Sequence, residues 1–161
     1  MRPKGPSHRP GMLWPLVAAM AFLSLGGLSG GLAMIADPTG ASIGADPGWL
    51  RHTPVSDFLL PGLFVLVVYG CAVAACIVGL IWRIEPRRLR RVDARLAHTW
   101  AWAGTIAIGA VLVLWIVFEL AIISDVIWLQ PALVCVGLLM IGAPFAPSMR
   151  RWYSILRRPS V

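Results

Sequence analysis

The chain has 161 residues, of which 58% are hydrophobic and only 13% charged, and its mean hydropathy is +0.79. Soluble domains carry about 25% charged residues, so there is too little polar surface to coat a water-soluble particle, whereas four apolar segments of about 20 residues account for the composition. The net charge of +7 does not indicate a nucleic-acid partner, because the basic residues hug the ends of the apolar runs and no separate soluble segment carries a binding surface.

A basic tail over residues 1–11, with Arg2, Lys4 and Arg9, precedes the first apolar run, 12–35. A helix rises about 1.5 Å per residue, so about 20 residues cover the hydrocarbon thickness, and a helix satisfies its backbone groups internally where water is absent. The run exceeds the roughly 7–15 apolar residues of a signal peptide. Met34 also fits poorly two places before a cut after Ala36, so the segment is read as a retained anchor. Gly26, Gly27, Gly30 and Gly31 make two overlapping Gly-x-x-x-Gly patterns. Such a face lets another backbone approach closely, either within the chain or from a second protomer.

Residues 36–57 form the first outer loop, punctuated by Asp37-Pro38-Thr39-Gly40 and Asp46-Pro47-Gly48. Asp bonds its own downstream backbone, Pro fixes φ and Gly closes the turn, so a compact loop is expected. Asp37, Asp46, His52 and Asp57 have two readings. They form a cation or substrate site at the outer mouth, or the aspartates are turn and helix-start residues; the second is favoured, since no metal-loop spacing is present. Thr53-Pro54 predicts the N-cap and first position of the second helix, 58–82, with Pro61 as a kink.

The loop 83–98 holds six arginines and leads into a third helix, 99–123. Within it, Glu119 interrupts an apolar run. A charge at the centre of a membrane helix costs about 2.5–3.5 kcal/mol and marks a functional site by default. Glu119 lies near the outer end, however, where it could also pair with Arg51 or His52 or reach the interface. A short turn, 124–126, precedes the fourth helix, 127–146. The tail 147–161 interleaves Arg150 and Arg151 with Trp152, Tyr153, Ile155 and Leu156, the pattern of an interfacial amphipathic helix.

Thirteen of the 14 basic residues fall in the two tails and the 83–98 loop, and only Arg51 falls elsewhere. The positive-inside rule therefore places both termini and the central loop in the cytoplasm. These clusters would attract anionic lipid headgroups at about 1 kcal/mol per residue. Trp14, Trp82, Trp100, Trp102 and Trp152 fall at inner boundaries and Trp49 and Trp128 at outer ones, as an aromatic belt requires. Trp115 alone is within a span and is read as packing. Cys71, Cys76 and Cys135 form no Cys-x-x-Cys pair and read as packing residues. His52 and His98 fall on opposite sides, so no bis-histidine haem site is expected. No cofactor, metal-ligand spacing or catalytic constellation is predicted.

The segment from Asp37-Pro38-Thr39-Gly40 through Asp57-Phe58-Leu59-Leu60-Pro61-Gly62, with Trp115-Ile116-Val117-Phe118-Glu119 and Leu129-Gln130-Pro131, resembles a group of small bacterial four-helix integral membrane proteins. The resemblance implies that architecture and no activity. A content of 13 Arg to one Lys is what a high-GC bacterial genome tends to give.

The expected fold is an all-α membrane protein, an up-down-up-down bundle of four transmembrane helices with cytoplasmic termini, in the bacterial cytoplasmic membrane. The leading functional expectation is an accessory or structural subunit, assembling with itself or with a larger membrane complex through the glycine-rich helix. The alternative is a small homo-oligomeric transporter or channel using Glu119.

Overall fold

The computed structural model of the chain describes residues 9–51, 54–84, 98–122 and 129–153. All regular structure among them is helical. Helix α1 spans Leu13–Ala36. Helix α2 covers Leu59–Trp82, built from an α-helical start, Leu59–Phe64, a π-helical middle, Val65–Ala72, and an α-helical end, Val73–Trp82. Helices α3, α4 and α5 follow at Trp100–Ile122, Leu129–Gly142 and Pro147–Tyr153.

The start and end of α1 follow from its prolines. Pro15 stands in the first turn, where no backbone N–H is needed. At the other end Asp37, which precedes Pro38, leaves helical geometry at φ −134° and ψ 87° while its N–H still closes on the Ala33 carbonyl.

The second helix departs from expectation in two ways. It does not begin at Thr53-Pro54: Pro54 lies outside it, Thr53 lies outside the described residues, and the first helical residue is Leu59. Residues 54–58 instead close the loop, with the Phe58 N–H donating to the Pro38 carbonyl at 2.9 Å. Pro61 consequently sits in the first turn and does not kink the helix. The irregularity lies one turn later, in the π-helical segment.

Helix α3 starts within a residue of the expected third run, whose last expected residue, Ile123, lies outside the described residues. The fourth run, expected as one helix over 127–146, is broken, and its expected first two residues, 127 and 128, lie outside the described residues. After Gly142 come a 3-10 turn, Ala143–Phe145, and a bend of 66° into α5. Pro147 causes the break, because the residue before a proline is driven out of helical geometry. Ala146 accordingly takes φ −54° and ψ 136°. Among the described residues three helices are long and apolar enough to cross a membrane, and a fourth counts if the bent pair is one span.

Small residues sit where the helices touch. A Cβ on Gly27 would lie 2.6 Å from the Gly70 nitrogen and the Tyr69 carbonyl carbon, and one on Gly31 would lie 2.7 Å from the Leu66 nitrogen. The buried Ser24 hydroxyl donates to the Gly70 carbonyl at 2.9 Å. Glycine-mediated approach and a polar clasp replace the hydrophobic drive that is missing between helices in lipid. Gly79 meets Trp100 and Ala101, joining α2 to α3, and Gly109 meets Met140, joining α3 to α4. Leu16, Met20, Val73, Leu112, Ile116 and Met140 are buried between them, while Leu25 and Leu114 are each 68% exposed. Large apolar side chains pointing outward suit a surface bathed in hydrocarbon.

At the end of the bundle that holds Arg83, polar atoms of the aromatic residues satisfy carbonyls that the helix ends leave open. Trp102 Nε1 donates to the Pro144 carbonyl at 2.9 Å and Trp100 Nε1 to the Ile84 carbonyl at 2.7 Å. The Tyr153 hydroxyl donates to the Leu80 carbonyl at 2.6 Å. Arg83 lies over the Trp152 ring and donates to the Trp152 carbonyl. In helix α5 Arg150 and Arg151 are exposed while Met149 and Tyr153 are buried against the bundle itself, and residues 154–161 of the expected amphipathic tail lie outside the described residues.

Candidate functional site

The 37–58 loop organises its surroundings through its aspartates. Asp37 accepts from the Thr39 hydroxyl at 2.6 Å, the Thr39 N–H at 3.2 Å and the Ser42 N–H at 2.8 Å. The Thr39 hydroxyl, with the Ser42 N–H, holds its carboxyl below the ordinary value of 3.8. Hydrogen bonds that favour the charged form have this effect. Asp46 accepts from the Gly48 N–H at 2.7 Å, starting the 3-10 turn Pro47–Leu50. Asp57, one residue before the N-cap Phe58, accepts from the Leu59 N–H at 3.0 Å and so satisfies the first N–H of α2. Gly40, at φ +81°, packs on the Phe58 ring. The three aspartates thus hold turns and a helix start, and their carboxylates do not converge on one point.

These turns carry apolar side chains inward. Ile43, Trp49, Leu50 and Val55 from the loop meet Met34 of α1, Phe64 of α2, and Trp115 and Phe118 of α3 around a cavity of about 480 Å³. That volume lies within the roughly 300–1,000 Å³ of small-molecule sites. Its lining is carbon almost throughout. Among the described residues the one charged group on it is the Glu119 carboxylate.

Glu119 and Trp115 stand four residues apart on α3 and therefore share a face. Trp115 stacks on Phe64 with centroids 4.9 Å apart and 21° between planes, and Phe64 meets Tyr69 edge-on at 5.5 Å. Glu119 accepts from Gln130 Nε2 at 3.5 Å, at the long limit of a hydrogen bond. Gln130 is 97% buried, with 3% of its surface exposed. Among the described residues Glu119 meets no basic side chain, and the expected pairing with Arg51 is not formed. His52, the other expected partner and a candidate of the outer mouth, lies outside the described residues.

The four glycines of α1 divide into two pairs. Gly27 and Gly31 are spent on α2, whereas Gly26 and Gly30 have no atom within 4 Å of where a Cβ would stand and face outward. Cys76 is buried, and Cys71 and Cys135 are exposed on the helix surfaces, all as free thiols. Among the described residues no three His, Cys, Asp or Glu side chains are grouped to hold a metal ion.

Sequence reasoning missed Tyr69 and Gln130. Each is a polar residue in an otherwise apolar run, the same signal that singled out Glu119. Tyr69 is 4% exposed and its hydroxyl has no hydrogen-bond partner among the described residues. It lies in the π-helical segment, a distortion frequent at functional sites. Comparison of the chain with protein-family models, with curated proteins and with solved structures returns no match.

Proposed function

We propose that the chain is a multi-pass protein of the bacterial cytoplasmic membrane that takes up a membrane-soluble small molecule in the cavity beside Glu119, at the outer end of the bundle. The observation that carries this reading is the joining of an apolar, aromatic-walled cavity to an intramembrane carboxylate without a basic partner among the described residues. An ionisable group in such a place is costly to insert and marks binding or transport. The residue pairing between successive helices supports an up-down-up-down arrangement. The collection of Arg83 and Trp152 at the end away from Glu119 supports cytoplasmic termini.

The test is photolabelling in native membranes with an uncharged, lipid-soluble diazirine. Label is expected to concentrate on peptides covering 43–65 and 115–119 and to be displaced by excess unlabelled compound. Even labelling of lipid-facing positions such as Phe22, Leu25 and Leu138, without displacement, would refute the reading.

The accessory-subunit reading keeps one specific observation in its favour, the open Gly26 and Gly30 face of α1. Mild-detergent purification with intact-mass analysis tests it. A stoichiometric partner protein supports this reading, and a chain that elutes alone argues against it.

A further inference from the structure

The cavity has a chemical polarity that narrows what it takes. Its wall combines one carboxylate with the indole of Trp115 on the same helical face and the Phe118 ring one residue before the carboxylate. Trp49 closes it from the loop. Aromatic faces are electron-rich and attract a cation within about 6 Å, more strongly where water is excluded. An ionised carboxylate among carbon atoms is destabilised unless an opposite charge meets it. Among the described residues one amide, that of Gln130, reaches it at 3.5 Å, and Tyr69, whose ring meets Phe64 edge-on, adds no positive charge.

A divalent metal ion fits this wall poorly. Calcium takes about six to eight oxygen ligands and magnesium wants near-octahedral coordination. Among the described residues Glu119 is the only carboxylate on the lining and no grouping of metal ligands is present. A neutral apolar molecule would leave the carboxylate unmatched. An organic cation with apolar substituents satisfies both halves of the site: its charge is weakly hydrated, needs one counter-charge and aromatic faces, and brings its own hydrocarbon for the rest of the wall.

Resting on the cavity reading above, we infer that the site binds a lipophilic organic cation, such as a quaternary ammonium or phosphonium, with its positive centre against Glu119 and Trp115 and its substituents among Met34, Phe64 and Phe118.

The experiment measures saturable binding of tetraphenylphosphonium and, separately, of tetraphenylborate, an anion of nearly the same size, to the full-length protein in detergent. The phosphonium is expected to bind at least about tenfold more tightly than the borate. Glu119→Gln should lower phosphonium affinity about tenfold or more without weakening the borate, and Glu119→Asp should keep part of the preference. The charge preference of the unaltered protein provides a measurement that does not depend on any variant folding. Equal affinity for the two ions, or a Glu119→Gln variant that folds and retains the preference, overturns the inference while leaving the cavity reading standing. Saturable binding of neither ion overturns the inference as well, and the failure extends to the cavity reading if the diazirine label is also not displaced.

Discussion

A run of four glycines in one helix hides two different jobs, separated by the helical repeat. Gly27 and Gly31 stand where a Cβ would strike α2 backbone atoms at 2.6–2.7 Å, whereas Gly26 and Gly30 look outward. Gly27→Ala or Gly31→Ala should therefore force α1 from α2 and destabilise the monomer by about 1–3 kcal/mol, the usual cost of overpacking. Gly26→Ala and Gly30→Ala should leave its unfolding within about 0.5 kcal/mol, as for exposed substitutions. Thermal unfolding in one detergent, with all four variants side by side, checks this; equal losses across the four would contradict the division. The glycine pattern itself was legible in the sequence. Its split was not, because assigning glycines to partners requires knowing the rotation of α1 about its axis, which a helix apolar on all sides does not reveal. Glu119 was legible for the opposite reason: a charge in an apolar run stands out whatever the rotation. Its neighbour Trp115 reads as ordinary packing, and Gln130 carries no role in the sequence until α3 and α4 are brought together.

At the level of elements, composition located the spans well and proline chemistry located their ends less well. Asp37-Pro38 ended α1 as expected. Thr53-Pro54 carried an equally good start signal, yet residues 54–58 are used to tie Phe58 to the Pro38 carbonyl, so a tertiary bond displaced a local preference. The fourth run was read as unbroken because Pro144 and Pro147 fell within or just beyond a continuous hydropathic stretch. The resulting bend turns α5 back onto the end of α2, where the buried Tyr153 hydroxyl reaches the Leu80 carbonyl at 2.6 Å. Tyr153→Phe removes only the oxygen. It should cost about 1–3 kcal/mol, the penalty for leaving a buried acceptor unmatched, and increase trypsin cleavage at Arg150 and Arg151. Unchanged proteolysis and unfolding would show that the bond contributes nothing to docking α5.

For the whole molecule, the proposed orientation rests on where the charges collect. Arg83 and α5 belong to one end, and the loop that roofs the cavity belongs to the other. In a background with the three cysteines replaced by alanine, Ser42→Cys should react with a membrane-impermeant maleimide added to intact cells from which the outer barrier has been removed. Ser148→Cys should react only after permeabilisation. The reverse pattern would invert the topology and put the cavity on the cytoplasmic side. The sequence supported this orientation through arginine counts alone. It could not reveal the cavity, whose wall is assembled from three helices and two turns drawn from residues 34 to 119.

The docking of Tyr153 also sets an order of assembly. The glycine contacts between α1 and α2 need only the first half of the chain, so that hairpin can form while later helices are still being made. The Leu80 carbonyl has to wait for a hydroxyl 73 residues further on. Until the last described helix emerges, the end of α2 stays unsealed, and a nascent chain interrupted before Pro147 carries an exposed acceptor by which incomplete synthesis differs from the finished protein.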